Sequence, residues 1–204
     1  MTNKSINYSD KNPDSSGQVV QATVNDKRIF IGTIGYHILS NHSIGPILLP
    51  QLQQQNWPEG VFIDELNWGP IAVVQQFEAT KIPYDRIILL TAIERPARKI
   101  GDINVFQWQG GLPDKKQIQA CVGDAATGVI SVENLLVIGQ YFKIWPKEVF
   151  LVDVEPGPEV AGEHLSEEVA VKVPAVIQTI QTLANEGPAK IKEITYLRGE
   201  TLFL

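Results

Sequence analysis

Four short runs of apolar residues most constrain what this chain can fold into. Each run ends at a glycine or a polar residue, and they lie at 27–32, 61–63, 86–90 and 148–154. Runs of this kind are typical of strands that are buried on both faces of a parallel sheet. No apolar stretch reaches the roughly 18–20 residues that a membrane-spanning helix needs. We therefore predict buried strands and no association with a membrane.

Segments with helical spacing of apolar residues lie between and after these runs. They are 44–55, 71–78, 131–142 and a last helix that begins at Ser166. Ser131 is a predicted N-cap with Asn134 at the capping-box position, and Pro174 is expected to bend the last helix. Strands that alternate with helices predict the α/β class, here a three-layer α/β/α sandwich with a mostly parallel central sheet.

The remaining segments carry weaker patterns. Residues 103–108 alternate and predict an edge strand or hairpin, and 110–128 is interpreted as a loop. Residues 191–197 alternate enough for a strand or an ordered arm. We divide the chain into a flexible N-terminal segment (1–27, with a short strand at 18–24 left open), an ordered domain (28–185) and a C-terminal tail (186–204).

Composition narrows the class of protein further. The chain has 204 residues, of which 44% are hydrophobic and 20% charged, so one globular domain is expected and wholesale disorder is excluded. Seventeen basic against 23 acidic residues give a net charge of −6, which disfavours a nucleic-acid partner held by a basic surface. The polar start lacks the apolar core of a signal peptide, so the expected location is the cytoplasm.

Common catalytic and nucleotide-binding motifs are missing from the sequence. The single cysteine, Cys121, permits no internal disulfide, and with three histidines it excludes a Cys₄ or Cys₂His₂ zinc site. The glycines after the first strand do not have the G-x-G-x-x-G spacing of a dinucleotide-binding loop. The sequence also contains neither a P-loop nor the G-x-S-x-G of α/β-hydrolases.

Candidate functional residues are those that follow the predicted parallel strands, because ligands bind beyond the carboxyl ends of such strands. His37 and His42 lie after the first strand and are either polar loop residues or ligands. Asp64 and Glu65 follow the second strand, as a metal-ligating or general-base pair or as acids at a helix entry. Thr91 ends the central strand, and its hydroxyl is a poor metal ligand.

Several segments together carry a resemblance to a known family. They are the glycine-containing loop 31–45, Asp64-Glu65-Leu66-Asn67-Trp68-Gly69, the strand 87–92, and the late strand and helix start at 146–156 and 165–169. Over about 28–185 the chain resembles the nickel–iron hydrogenase maturation proteases. These endopeptidases remove a C-terminal extension from the hydrogenase large subunit once its metal centre is loaded. The resemblance implies a phosphorylase/hydrolase-like sandwich fold.

The resemblance also implies where a metal-binding triad would lie. Its first acid falls on His42, preceded by Asn41 where the family usually has Asp, and its central-strand Asp falls on Thr91. Its histidine falls near 127–128, where Asp124 is the nearest possible ligand. The predicted metal-binding residues are therefore His42 and Asp124, and no residue is assigned as catalytic. The predicted substrate-binding residues are Asp64, Glu65, Asn67, Gly69 and Thr91.

Three hypotheses for the function follow. The first is a non-catalytic paralogue that binds a protein partner, such as a hydrogenase large subunit or a maturation factor. The second is an active endopeptidase with a rearranged site that uses His42, Asp64 and Asp124. The third is a small-molecule enzyme on the same scaffold. No cofactor is expected, and nickel or another divalent metal is expected only if a rearranged site is active.

The four tryptophans bear on the choice among these hypotheses. They are Trp57, Trp68, Trp108 and Trp145. Burial against the sheet is the simpler expectation for each of them. Two or more exposed on one face would instead indicate a surface that binds a partner.

Overall fold

A six-stranded sheet forms the centre of the computed structural model, which describes residues 27–128 and 131–203. The strand order is β2-β1-β3-β5-β4-β6, with β1 Ile29–Thr33, β2 Val61–Glu65, β3 Arg86–Ala92, β4 Ile103–Trp108, β5 Glu148–Val154 and β6 Thr195–Leu197. The first four strands in that order are parallel, β4 is antiparallel to β5, and β6 is parallel to β4. All four apolar runs thus form parallel strands, as predicted.

Helices cover both faces of the sheet, which confirms the predicted three-layer sandwich. They are α1 Ile44–Gln53, α2 Pro70–Glu78, α3 Lys115–Thr127, α4 Val132–Tyr141, α5 Glu167–Ala170 and α6 Val173–Asn185. Buried side chains of α2, α3 and α4 pack on one face of the sheet, and those of α1, α5 and α6 on the other. Alternate residues of β3 explain this: Ile87 and Leu89 enter the first core, and Ile88 and Leu90 the second.

A capping serine and a proline in the first turn explain where two of the helices begin. The hydroxyl of Ser131 accepts a hydrogen bond from the Asn134 backbone N–H at 3.1 Å, which confirms the predicted N-cap of α4. Pro174 lies in the first turn of α6, where it costs no helical hydrogen bond. The predicted bent helix is therefore two helices, because α5 ends at Ala170 before the proline.

Three weaker predictions need correction or completion. Residues 103–108 form β4, which lies between β5 and β6 and is not the edge strand. The predicted loop 110–128 contains α3, which escaped prediction because Cys121 is its one fully buried residue. The C-terminal segment adds β6 to the sheet and buries Leu202 in the core. Of the N-terminal segment 1–27 only Lys27 is described, and the strand left open at 18–24 lies outside the described residues.

None of the helices in the described ranges is by itself long and apolar enough to cross a membrane. Only α3 and α4 taken together, with a bend of 107° between them, have the length and apolar composition for it.

A charged cluster holds the amino-terminal edge of the sheet together. The Arg86 side chain is buried and donates to Glu148 at 2.7 Å and to the Leu183 carbonyl. Lys27 donates to the same carboxylate at 3.1 Å. Partial burial by itself raises the pKa of Glu148, but the hydrogen bonds from Lys27 and Arg86 outweigh it, so this pKa lies below its usual value. The cluster therefore joins β3, β5 and α6.

We expect Glu148→Gln to lower the free energy of unfolding by about 2 kcal/mol at neutral pH, because buried Arg86 loses its counter-ion. Because the pKa of Glu148 is depressed in the folded protein, its contribution to the free energy of unfolding is complete above the unfolded-state pKa of 4.5. That contribution is lost as the pH falls through the folded-state pKa. Urea unfolding of the wild type and of Glu148→Gln should therefore show a difference in unfolding free energy that becomes smaller in acid. Exposed Glu78→Gln is the control, and a difference independent of pH would contradict the assignment.

Candidate functional site

Loops at the carboxyl ends of the parallel strands enclose a cavity of about 240 Å³. This is where ligands bind in open α/β sheets. Its described polar wall includes Tyr36, His42, Thr91, Glu94, Glu133 and Glu159. Two of the sequence-predicted site residues, His42 and Thr91, therefore line the same cavity.

Asn41 ties together two of the loops that frame this cavity. Its buried amide nitrogen donates to the Pro156 carbonyl at 2.8 Å and to the Ser166 hydroxyl at 3.1 Å. Its oxygen accepts from the Ser166 backbone N–H at 2.8 Å. The groups around this side chain require both a donor and an acceptor, which an amide supplies and an ionised carboxylate does not. Asn41 joins the loop after β1 to the loop after β5 and to the start of α5.

His42 is also held by the loop after β5. Its Nε2 lies 3.0 Å from the Gly157 carbonyl oxygen, so this nitrogen carries the proton and donates. His42 Nε2 is thus used in this hydrogen bond, the neighbouring Asn41 amide is used in the loop contacts, and the Thr91 hydroxyl is a poor ligand, so these three residues do not fit a resident divalent ion. Within 27–128 and 131–203, no group of three or more His, Cys, Asp or Glu side chains is placed to hold a metal ion.

Asp124, the second predicted metal-binding residue, lies elsewhere. It is exposed on α3, where its carboxylate accepts a hydrogen bond from the Asn134 side chain at 3.2 Å. It is not among the residues that line the cavity with His42. The structure therefore does not bring His42 and Asp124 together there, and their role as ligands stays a prediction.

The loop after β2 is organised by side-chain hydrogen bonds. Asn67 donates to the Gly35 carbonyl at 2.6 Å and accepts from the Gly35 N–H at 3.1 Å, in the manner of a paired strand. Asn67 also donates to Glu65, which contacts His37 at 2.9 Å. These bonds hold the β1 and β2 loops in register beside the cavity.

The two ends of the same loop have simpler roles. Asp64 is exposed, and its carboxylate accepts from the Glu65 backbone N–H. Gly69 precedes α2 at a φ of 89°, a conformation that favours glycine, and Pro70 follows in the first helical turn. Of the five predicted substrate-binding residues, Thr91 alone lines the cavity. Substrate contact by the others stays a prediction.

A buried ionic network beneath the β3 loop was missed by the sequence analysis. Asp153 has 0% exposure and accepts hydrogen bonds from the Ile93 N–H at 3.0 Å and from Arg98 at 2.7 Å. Arg95 donates to Asp153 at 3.3 Å, and its backbone N–H donates to Glu155 at 3.0 Å. Burial raises the pKa of Asp153, although Arg98 and Arg95 oppose that shift. The network fixes the loop that carries Ile93 into the cavity wall.

The sequence did contain a signal for this network. Asp153 interrupts the otherwise apolar end of β5, and a carboxylate in a buried strand requires a cationic partner. Arg95 and Arg98 follow the neighbouring parallel strand β3 and so reach the same edge of the sheet.

Exposed apolar side chains lie on three loops at the same edge of the sheet as the cavity. We call them the apolar rim: Tyr36, Ile38, Trp68 and Val160, exposed by 45%, 61%, 65% and 60%. Ile38 has a φ of 65°, which is unusual for a β-branched residue, and its carbonyl accepts from Gly162 at 3.0 Å. The three loops follow β1, β2 and β5, whose carboxyl ends share one edge of the sheet.

Three of the four tryptophans are packed against the core, as the simpler expectation of burial predicts. Trp108 is buried, and Trp57 and Trp145 are half-buried against the core. Trp68 alone is exposed, with its indole N–H donating to the Glu65 carbonyl at 2.9 Å. A patch of two exposed tryptophans is therefore not formed.

We expect Asn41→Asp to lower the free energy of unfolding by about 2 kcal/mol at neutral pH, because an ionised carboxylate would face the Pro156 carbonyl oxygen. Protonation restores a donor, so the pKa of the new carboxyl is raised and the loss shrinks as the pH falls through that value. Chemical denaturation across pH measures this. Asn41→Ala is the control, with a loss that does not vary with pH, and wild-type stability of Asn41→Asp at neutral pH would contradict the clamp.

Similarity to known proteins is found among solved structures. No family model matches the sequence. A search of curated proteins likewise gives no match. Solved structures do match: the hydrogenase maturating endopeptidase HybD from E. coli is 18% identical, with 78% of this chain and 94% of that chain covered and a TM-score of 0.57.

Two archaeal structures are similar to the same part of the chain. The [NiFe] hydrogenase maturation protease HybD from Thermococcus kodakarensis is 17% identical, covers 78% of this chain and 99% of its own, and has a TM-score of 0.52. The hydrogenase 2 maturation peptidase from Thaumarchaeota archaeon SCGC_AB-539-E09 is 19% identical, with 79% and 100% covered and a TM-score of 0.50. The resemblance predicted from sequence is thus confirmed for the fold: this chain has the fold of the hydrogenase maturation endopeptidases.

Proposed function

We propose that this chain is a non-catalytic relative of the hydrogenase maturation endopeptidases that binds a protein partner through the apolar rim. The observation that carries the proposal is the rim itself, which lies with the cavity at the edge of the sheet where α/β proteins bind ligands. Exposed apolar surface bordered by polar residues is typical of protein interaction sites.

The way the rim is held supports this role. Ile38 is both exposed and in the left-handed region of φ, so its conformation costs free energy that the surrounding contacts must offset. Those contacts come from the Asn41 clamp and from the backbone pairing of Leu39 with Gly162. A strained apolar side chain that is presented to solvent is expected where it packs against a partner.

The chemistry of the cavity supports a role without hydrolysis. Peptide hydrolysis needs a polarising metal or an activated nucleophile beside the scissile bond. The positions where the resemblance implies ligands hold an imidazole whose Nε2 donates to a carbonyl, a threonine hydroxyl, and no histidine near 127–128. Binding therefore fits these residues better than catalysis.

A hydrogenase large subunit or a maturation factor is the proposed partner, since the similar solved structures are hydrogenase maturation endopeptidases. Calorimetry with a purified large-subunit precursor tests this. We expect a one-to-one complex whose C-terminal extension stays intact, and Ile38→Asp should weaken binding by about tenfold or more. Ile82→Asp is the matched control, because Ile82 is equally exposed but precedes β3 at the opposite edge of the sheet.

Two outcomes would count against the proposal. Release of the extension would support the endopeptidase that uses His42, Asp64 and Asp124. Equal binding by the Ile38 and Ile82 variants would remove the apolar rim from the interface.

A second measurement tests the metal-free interpretation. We expect elemental analysis of the purified protein to find nickel and zinc well below one ion per chain, because no three or more His, Cys, Asp or Glu side chains in the described ranges are grouped to hold an ion. One tightly held ion per chain, lost in His42→Ala, would show a rebuilt metal site instead.

A further inference from the structure

We infer that the cavity, which Tyr36 of the apolar rim lines, receives one basic side chain, a lysine or an arginine, of the bound partner. The inference rests on the proposed function and specifies what the partner places at this site. It joins three observations: carboxylates on the wall that no described residue pairs, a threonine hydroxyl that makes no hydrogen bond within the described residues, and apolar walls that match the stem of a basic side chain.

Two carboxylates on the wall are not neutralised by any residue in the described ranges. Glu94, Glu133 and Glu159 line the cavity, and no lysine or arginine is among its described lining residues. Glu94 and Glu159 make no side-chain hydrogen bond or ion pair with any residue in the described ranges, and Glu133 reaches Arg95 only at 3.9 Å. A cation brought by a partner would therefore find free carboxylates.

Thr91 gives an independent sign of a ligand. It is 3% exposed and lines the cavity, and its hydroxyl has no hydrogen-bond partner in the part of the chain that the structure describes. A donor bound in the cavity would give this hydroxyl a hydrogen-bond partner. An ammonium or guanidinium N–H is such a donor, since the threonine oxygen accepts.

The size and the apolar walls select the kind of cation. A volume of about 240 Å³ lies below the roughly 300–1,000 Å³ typical of pockets for drug-sized ligands, and so suits a single side chain. Ile34, Ile93 and Val132 provide apolar wall for a methylene stem, and the Tyr36 ring can face a cation. The carboxylates are not grouped for a metal ion, which favours an extended organic cation.

Short blocked peptides test the inference directly. Acetyl-Gly-Lys-Gly-amide is titrated into ¹⁵N-labelled protein and compared with the peptide that has norleucine, which has the same stem without the charge. We expect the lysine peptide to bind about fivefold more tightly at low salt, to lose that advantage at high salt, and to shift the amide signals of Gly35 and Ile93. An arginine peptide shows which basic side chain is preferred.

Matched variants separate binding from structure. Glu94→Gln and Glu159→Gln should each weaken the lysine peptide about threefold, whereas exposed Glu163→Gln, outside the cavity, should not. Thr91→Val should weaken it as well. Thr33→Val is its control, because Thr33 is also a buried strand-end threonine with an unpartnered hydroxyl but does not line the cavity.

Specific results would overturn the inference. They are equal affinity for the norleucine peptide, no saturable shift at the cavity, or equal effects of the paired variants. Failure here is distinct from failure of the proposed function. If the large subunit binds through Ile38 while the lysine peptide does not bind, only the cavity assignment is wrong. If the lysine peptide binds and Ile38→Asp leaves the large-subunit complex unchanged, only the partner assignment is wrong.

Discussion

The clamp made by Asn41 is the interaction on which the carboxyl-end face depends. One neutral amide satisfies the Pro156 carbonyl and both polar groups of Ser166, and so joins three segments that are far apart in sequence. His42 is then held against Gly157, and Ile38 is held exposed in an unusual backbone conformation. Asn41, which stands where the family in the resemblance usually has Asp, therefore builds the surface that we assign to partner binding.

Charge at this face is divided between paired and unpaired carboxylates. Asp153 is buried and satisfied by Arg95 and Arg98, because a charge without counter-ions inside the sheet would be strongly destabilising. Glu94 and Glu159 remain in contact with solvent at the cavity and are free to meet a cation. Burial thus decides which acids stabilise the fold and which are available for binding.

The strands were the most predictable part of the molecule, since a strand buried on both faces needs a continuous apolar run. Helix α4 was predictable because Ser131 caps it, whereas α3 was not, because it buries Cys121 and little else. The position of β4 inside the sheet was not predictable either. It depends on β6, which comes nearly ninety residues later and contributes three residues.

The sequence by itself determined the α/β class, the parallel core and the residue types at the strand ends, because local periodicity and side-chain chemistry decide these properties. It also contained His42 and Thr91, but only the tertiary structure placed them in one cavity, since segments about fifty residues apart meet there through strand pairing. Likewise, only packing decided that Asn67 and Glu65 hold the loops together while Glu94 and Glu159 stay unpaired among the residues that the structure describes. Hydrogen bonding depends on distances of a few ångströms, which the order of residues does not specify.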